Sequence, residues 1–124
     1  MQRTIFIVDD NDINLSIAKE ALRAQYKVFT MPSAAKMFSF MEKIRPDMIL
    51  LDIEMPEMDG FEALTLLKKN NLYADIPVIF LTGTNDSSIE IRGLELGVID
   101  FIIKPFSANA LIERINSHFE SLGK

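Results

Sequence analysis

Four short runs of apolar residues do not alternate with polar ones, and this pattern constrains the fold more than any other feature of the chain. The runs cover residues 5–8, 48–51, 78–81 and 101–103. A strand that is apolar on both faces belongs in a parallel sheet that is covered by helices on each side. A fifth run, residues 27–30, is half polar, and we therefore place it at the edge of the sheet.

Between these runs, apolar residues recur at the spacing of helices that bury one face, and the first helix is predicted over about residues 13–25. Ser33 and Ser107 are predicted to cap the second and last helices, and Gly97 to end the fourth. The predicted inward-facing residues are Ile13, Ile17, Ala21 and Leu22; Met37, Phe38 and Met41; Phe61, Leu64 and Leu67; Ile91 and Leu94; and Leu111, Ile115, Phe119 and Leu122. Strand and helix thus alternate five times. This alternation predicts an α/β fold, a doubly wound, five-stranded parallel sheet with helices on both faces.

The composition limits the chemistry that the chain can carry. Its 124 residues suit a single domain, which we expect to cover residues 1–124, and its net charge of −5 disfavours direct nucleic-acid binding. The absence of cysteine excludes disulfides and thiolate metal sites, and a single histidine, His118, excludes multi-histidine sites. We expect His118 at the surface, near the end of the last helix. No apolar run approaches the roughly 20 residues of a membrane helix, so we expect no membrane association and a cytoplasmic location.

Polar side chains follow four of the five predicted strands. Asp9 and Asp10 come after the first, Asp52 after the third, Thr82 after the fourth and Lys104 after the fifth. In a parallel sheet of this kind the ligand site lies at the carboxyl ends of the strands. The sequence therefore predicts that three carboxylates, a hydroxyl and an ammonium group meet at one edge of the sheet.

Such a cluster needs compensating positive charge. Two carboxylates about 4 Å apart repel by roughly 4 kcal/mol at an effective dielectric near 20, and a third adds to the repulsion. Lys104 offsets one charge, and a site made only of oxygen ligands suits Mg²⁺. With such an ion present, an ionised aspartate can attack a phosphoryl donor and form an acyl phosphate.

These residues stand in motifs that resemble the receiver domain of two-component response regulators. The motifs are Val-Asp-Asp at 8–10, Leu-Asp-Ile-Glu-Met-Pro-Glu-Met-Asp-Gly at 51–60, Leu-Thr-Gly at 81–83 and Phe-Ile-Ile-Lys-Pro-Phe at 101–106. They occur in the family's order and spacing, and the match covers essentially the whole chain. The resemblance implies the flavodoxin-like strand order 2-1-3-4-5, for which this family is itself a standard example.

The resemblance implies a metal site and a phosphoacceptor. Asp52 is similar to the residue that accepts the phosphoryl group from a histidine kinase. Asp10 would bind Mg²⁺, or Mn²⁺, directly, and Asp9 would act through a bound water. Asp52 and the backbone carbonyl of Glu54 would be further metal ligands. The domain would be a phosphorylation-operated switch and not an enzyme that turns over external substrates.

The resemblance also implies how the switch works. Lys104 would pair with the phosphoryl group, and Thr82 would move to bond it. Phe101 matches the aromatic residue that turns inward as Thr82 shifts, and the Lys104–Pro105 peptide bond is often cis in this family. The face formed by the fourth helix, the fifth strand and the fifth helix would change shape.

Partners follow from the same resemblance. The first helix, near Asn14 and Ile17, would meet a sensor histidine kinase or phosphotransfer domain. A homodimer through helices four and five is allowed, and we expect it to strengthen on activation. The resemblance also allows an output domain or downstream protein, whose nature the residues leave open together with the stimulus and the phosphoryl lifetime.

Three other functions are open to the residues. Asp10-Asn11-Asp12 after an apolar strand resembles the opening motif of haloacid-dehalogenase-like, Mg²⁺-dependent phosphatases, although Asn14 stands where Thr or Val is expected. A flavodoxin-like FMN carrier is disfavoured because three aspartates in the loop after the first strand would repel the phosphate. A docking module that works without phosphate is the third, although every side chain needed for phosphorylation is present.

Overall fold

Strands and helices alternate along residues 2–123, which are the residues described by the computed structural model. The strands are β1 Thr4–Val8, β2 Lys27–Met31, β3 Met48–Asp52, β4 Val78–Thr82 and β5 Asp100–Ile103. The helices are α1 Asp12–Leu22, α2 Ala34–Met41, α3 Gly60–Lys69, α4 Ser87–Leu96 and α5 Ala108–Ser121. Each predicted run of strand residues is therefore confirmed, with bounds that agree to within one residue.

All of the strands pair in parallel, and their order in the sheet is β2-β1-β3-β4-β5. This order confirms the flavodoxin-like topology. Every residue of β3 and β4 is buried, whereas only the last residue of β2 is. The half-polar strand β2 is therefore at an edge, as its composition predicts.

The core has two parts, one on each face of the sheet. Ile5 and Ile7 of β1 pack with residues of α1 and α5, whereas Phe6 and Val8 pack with residues of α2 and α3. Successive side chains of a strand point to opposite faces, so an uninterrupted apolar strand contributes to both parts. This arrangement confirms the prediction of helices on both faces.

The buried face predicted for α1 is wrong at Ile13 and Ile17, whereas Leu22 is buried as predicted and Ala21 is partly buried. Ile13 is 69% exposed and Ile17 is 42% exposed, whereas Leu15, Ala18 and Leu22 are buried. Ile13 and Ile17 share one helical spacing, and Leu15, Ala18 and Leu22 share another; packing against the sheet and α5 buries the second group. The helix also ends at Leu22, three residues before the predicted end.

The prediction for α4 is wrong in the same way. Ile91 and Leu94 are 56% and 57% exposed, and the buried residue of this helix is Gly93, which lets the backbone approach the aromatic rings beneath it. Gly97 does end the helix, in a left-handed conformation with φ of 105°. In the last helix, Leu122 is 43% exposed because it follows the final helical turn.

The predicted caps are confirmed. The Ser33 hydroxyl accepts a hydrogen bond at the start of α2, and the Ser107 hydroxyl does so at the start of α5. Asp59 caps α3, and Glu62 completes a reciprocal capping box with it. Within the described residues, none of the helices is long and apolar enough to cross a membrane.

Candidate functional site

The carboxyl ends of four strands bring the predicted site residues to one edge of the sheet. Asp9 and Asp10 directly follow β1, Asp52 ends β3, Thr82 ends β4 and Lys104 directly follows β5. One carboxylate oxygen from each of the three aspartates lies within 4.8 Å of the others. The structure therefore assembles the acidic cluster that the sequence predicts.

Lys104 joins two of the three carboxylates. Its Nζ lies 2.8 Å from Oδ1 of Asp52 and 3.2 Å from Oδ2 of Asp9. Asp9 is 0% exposed and Asp52 is 1% exposed. Burial lowers the pKa of Lys104, but the hydrogen bond and charge of Asp52, with a contribution from Asp9, outweigh it and raise that pKa above its usual value. Lys104 therefore stays charged and supplies the positive charge that two buried carboxylates require.

Asp52 has the most perturbed carboxyl group of the site. Burial raises its pKa from 3.8 to about 7; the hydrogen bond from Lys104 lowers it, and the charge of Asp9 raises it further. Lys104 bonds only Oδ1, and Oδ2 is buried with no hydrogen-bond partner among the described residues. A buried, unpartnered carboxylate oxygen is costly unless a ligand completes it.

The residues present fit a hard divalent cation. Asp9, Asp10 and Asp52 offer only oxygen ligands, and Lys104 balances just one of their charges. The unpartnered Oδ2 of Asp52 is a free acceptor in the same cluster. Oxygen ligands with surplus negative charge suit Mg²⁺ or Mn²⁺. Glu54 lies two residues after β3 with an exposed side chain, and the role of its carbonyl oxygen stays a prediction.

Asp9 is held by donors from α1 and the loop before it. Its Oδ1 accepts a hydrogen bond from the backbone N–H of Asn11 at 2.9 Å, and its Oδ2 accepts one from the Asn14 side chain at 3.2 Å. The resemblance implies a place for Asn14 on the surface that meets the partner, and the sequence does not predict this contact with Asp9. The available signal was an amide side chain on the first turn of the helix that follows the paired aspartates.

The hydroxyl of Thr82 is engaged with the backbone of the loop after β4. It accepts from the N–H of Thr84 and donates to the carbonyl of the same residue, each at 3.2 Å. Thr82 is 3% exposed and occupies its predicted place at the edge of the sheet. To bond a group on Asp52, the hydroxyl would have to exchange these loop contacts for new ones.

Phe101 points inward and is 9% exposed. Its ring packs against Phe80, with 5.8 Å between the ring centroids. A Cβ atom at Gly93 would lie 2.6 Å from Cζ of Phe101, so the inward ring fills space that any other residue at this position of α4 would occupy. The Lys104–Pro105 peptide bond that follows β5 is cis, as the resemblance implies.

Hydrogen bonds among Asp100, Arg114 and His118 form a clamp between the first residue of β5 and α5. The Asp100 carboxylate accepts hydrogen bonds from Arg114 and, at 2.8 Å, from Nε2 of His118 when that nitrogen carries a proton. Burial raises the pKa of Asp100, but the bonds from Arg114, His118 and the N–H of Phe101 outweigh it and hold that pKa below its usual value. His118 is therefore not a simple surface residue, because topology gives it a partner 18 positions away.

Three comparisons place this geometry among known proteins. The family model for the response regulator receiver domain matches residues 5–116. The chain is 37% identical over 120 residues to a protein of Vibrio cholerae named "probable cyclic di-GMP phosphodiesterase", and 35% identical over 122 residues to the phosphate regulon transcriptional regulatory protein PhoB of Pseudomonas aeruginosa. The structure superposes on that of the chemotaxis response regulator CheY4 of V. cholerae with a TM-score of 0.87 and 25% identity, over 94% of this chain and 98% of that one.

The two sequence matches cover nearly all of this chain but only part of each relative. They extend over 97% and 98% of the chain, whereas they account for 27% of the Vibrio protein and 53% of the Pseudomonas protein. The chain thus spans about half or less of the length of these curated relatives. Their names describe whole proteins, and the similarity concerns the matched region.

Proposed function

The chain belongs to the response regulator receiver domain family, and on this premise we propose that its phosphorylation switch operates through Asp52, which accepts a phosphoryl group from a histidine kinase. In this reaction an oxygen of Asp52 attacks the phosphorus atom, the bond from phosphorus to the histidine nitrogen breaks, and an acyl phosphate results. We propose that residues 1–124 act as one receiver domain with this role. The domain itself would not turn over external phosphate esters.

One observation carries the proposal. Asp52 is buried beside two other carboxylates and is bonded by Lys104 through Oδ1, and its Oδ2 has no hydrogen-bond partner within residues 2–123. A structural ion pair would satisfy both oxygens, whereas an acceptor of a phosphoryl group needs one oxygen free to form the new bond. The raised pKa of Asp52 points the same way, since strongly perturbed groups cluster at functional sites.

The proposed metal ligands are Asp9, Asp10, Asp52 and the backbone carbonyl of Glu54. Mg²⁺ or Mn²⁺ bound there would supply positive charge beside the phosphoryl oxygens as the group is transferred. The carboxylate of Asp10 is exposed and those of Asp9 and Asp52 are buried, so Asp10 forms the solvent side of the site. Asp9 contributes a carboxylate that is already oriented by its own hydrogen bonds.

The proposed switch residues are Lys104, Thr82 and Phe101. Nζ of Lys104 already lies 2.8 Å from Oδ1 of Asp52. It can therefore donate a hydrogen bond to a phosphoryl oxygen once that group is attached to Asp52. The Thr82 hydroxyl can exchange its two bonds to Thr84 for one to the phosphoryl group. Phe101 already occupies the inward position against Gly93. The inward ring would stabilise any conformation of the loop after β4 that leaves room for it beside α4.

Two surfaces suit the proposed partners. Ile13 and Ile17 are exposed on α1 beside the acidic edge, and we propose that a kinase or phosphotransfer domain docks there. A groove of about 670 Å³ lies between α4 and α5 and is lined in part by Leu94, Ile103 and Phe106; we propose it as the face for a homodimer or an output partner. The cytoplasmic location expected from the sequence belongs to the same proposal.

The haloacid-dehalogenase alternative has less support. It requires Asp10 as the nucleophile, but Asp10 is exposed and the buried, unpartnered oxygen belongs to Asp52. The family model for the receiver domain also matches most of the chain, residues 5–116. The proposals for docking without phosphate and for FMN gain nothing from the geometry, in which Asp9, Asp10, Asp52 and Lys104 lie together.

The test is the intact mass of the protein after incubation with acetyl phosphate and Mg²⁺. We expect one added phosphoryl group on the wild type, and none on Asp52→Asn or on the wild type in EDTA. Asp10→Asn should lose the reaction at low Mg²⁺ concentrations. A parallel sample with beryllofluoride, which mimics the phosphoryl group without being hydrolysed, covers the case of rapid dephosphorylation.

Two outcomes would contradict the proposal. Phosphoryl uptake by Asp52→Asn equal to that of the wild type would show that another residue is the acceptor. A wild type that neither takes up a phosphoryl group nor binds beryllofluoride would favour a docking module that works without phosphate. Turnover of small phosphate esters that Asp10→Asn abolishes and Asp52→Asn retains would instead support the phosphatase.

A further inference from the structure

We propose that Asn14 is a positioning residue of the metal site, because its side-chain amide holds the carboxylate of Asp9 in one orientation and so determines which oxygen of Asp9 faces the ion. The inference rests on the proposed function, since it concerns the Mg²⁺ site formed by Asp9, Asp10 and Asp52. It assigns to Asn14 a role inside the site, in addition to its place at the edge of the α1 surface.

The Asp9 carboxylate is fully buried and has three hydrogen-bond donors. The backbone N–H of Asn11 bonds Oδ1 at 2.9 Å. Nδ2 of Asn14 and Nζ of Lys104 both bond Oδ2, each at 3.2 Å. Two of these donors are therefore side chains, and they act on the same oxygen.

Counting acceptor positions shows what this arrangement leaves free. A carboxylate has two oxygens and about four acceptor positions in total. Asn14 and Lys104 fill both positions on Oδ2, and Asn11 fills one on Oδ1. The remaining position is on Oδ1, so this oxygen of Asp9 is the one available to a metal ion or to a water bound to it.

Asn14 matters more once Lys104 is drawn away. Lys104 is shared between Asp9 and Asp52, and negative charge on a phosphoryl group at Asp52 would attract it. The bond from Asn14 to Asp9 involves neither Lys104 nor Asp52. Asn14 would therefore keep Asp9 in the same orientation before and after phosphoryl transfer.

The requirements of the helix do not explain the asparagine. Asn14 is in the first turn of α1, whose N-cap is Asn11. Asparagine has a lower helix propensity than leucine by a few tenths of a kcal/mol. The Asp9 carboxylate accepts a hydrogen bond from an amide N–H at position 14. It would repel an aspartate there and would receive no hydrogen bond from a leucine, so the contact with Asp9 accounts for the amide.

The test compares Mg²⁺ binding, measured by titration calorimetry, in Asn14→Leu and the wild type. Leucine keeps the branched shape of asparagine but has no N–H donor. Loss of a residue that orients a metal ligand typically weakens metal affinity about 10- to 100-fold, and we expect a decrease in that range. Asn14→Gln, which keeps an amide N–H on a longer side chain, should recover part of the affinity.

The matched control is Asn116→Leu, which makes the same replacement in α5. The Asn116 side chain accepts a hydrogen bond from the Tyr26 hydroxyl and lies outside the acidic site. We expect Asn116→Leu to bind Mg²⁺ as the wild type does. A second readout is the rise in melting temperature that Mg²⁺ causes, which should shrink in Asn14→Leu and stay unchanged in Asn116→Leu.

The outcomes separate this inference from the proposed function. If Asn14→Leu binds Mg²⁺ as tightly as the wild type while Asp10→Asn loses binding, the inference is wrong and the proposed function stands. An equal loss in Asn116→Leu would also overturn it, because the effect would then be general destabilisation. A wild type that neither binds Mg²⁺ nor takes up a phosphoryl group would refute both. Phosphoryl uptake is measured with acetyl phosphate as the donor. No kinase is present, so a change in kinase docking on α1 cannot alter the measured uptake.

Discussion

Replacing Asp52 with asparagine should change how the stability of the metal-free protein depends on pH. Burial raises the pKa of Asp52 to about 7 in the folded protein, from 3.8 in an unperturbed chain; Lys104 opposes the rise and Asp9 adds to it. A carboxyl group with a raised folded-state pKa binds its proton more tightly when the protein is folded. Its contribution to stability is fully present below about pH 4 and is lost as the pH rises through 7.

The size of this effect follows from the pKa difference. One pKa unit corresponds to about 1.4 kcal/mol, so a shift of roughly three units corresponds to about 4 kcal/mol in total. About 3 kcal/mol of that loss falls between pH 5, where Asp52 is mostly protonated in the folded state, and pH 8, where it is ionised. The free energy of unfolding of a domain of this size is only about 5–15 kcal/mol, so a loss of this size would be easy to measure.

The assay is urea unfolding of the wild type and Asp52→Asn in EDTA at pH 5 and pH 8. The amide resembles the protonated carboxyl group, so the two proteins should be similar at pH 5. At pH 8 we expect Asp52→Asn to be more stable by about 3 kcal/mol. The raised pKa of Lys104 keeps that group charged throughout this range, and the lowered pKa of Asp100 has its effect below it.

Comparing the two proteins removes the contribution of every group that they share. If both lost or gained stability equally between pH 5 and pH 8, Asp52 would already be ionised at pH 5. The argument from burial would then be refuted. Excess Mg²⁺ is the internal control, because it should stabilise the wild type more at pH 8 than at pH 5 and act less on Asp52→Asn.

Three further substitutions test the packing around the site by urea unfolding. Gly93→Ala should gain about 1 kcal/mol in helix propensity but lose roughly 1–3 kcal/mol to its contact with the Phe101 ring, for a net loss. In a Phe101→Leu background the loss should shrink, because only the milder contact with Cε2 of Phe80 at 3.1 Å remains; an equal loss there would contradict the argument. Gly60→Ala should cost about 3 kcal/mol or more, because its Cβ would lie 2.6 Å from a backbone oxygen of β3 that cannot turn away. Asp100→Asn should cost about 1–3 kcal/mol through the lost charge facing Arg114, and an unchanged midpoint would show that the clamp between β5 and α5 does not contribute.

The strands could be predicted well because burial on both faces leaves a simple signal. Residues 5–8, 48–51, 78–81 and 101–103 contain no charged side chain, and a strand can be uninterruptedly apolar only where helices cover both sides. The polar residue after each run lies at the carboxyl end of the strand, within one residue of its last position. Strand order along the sheet is less directly encoded, and the half-polar run at residues 27–30 contributed only the position of one edge.

The members of the acidic site could be predicted, but their electrostatics could not. Parallel topology is enough to bring Asp9, Asp52 and Lys104 to one edge. The sharing of Lys104 between two carboxylates, the free Oδ2 of Asp52 and the amide of Asn14 on Asp9 depend on side-chain distances in the folded chain. The pKa of Asp52 depends on the same burial, so it too required the structure.

The helix faces that were predicted wrongly have a common physical cause. In α1 and α4 the apolar residues exceed what one buried stripe can hold, so periodicity offers two candidate faces, and the sheet selects the one with the closer fit. Ile17 on α1 and Leu94 on α4 stay 42% and 57% exposed, so each contributes only part of the burial free energy of a core residue to the isolated domain. Covering the exposed part in a complex would contribute a fraction of the roughly 1.5–3 kcal/mol that full burial of such a side chain provides. The helix faces on α1 and α4 that were predicted wrongly are thus the two that we propose for partners. An apolar residue that docks a partner looks the same in the sequence as a core residue, and the two differ only in whether this chain or another one buries it.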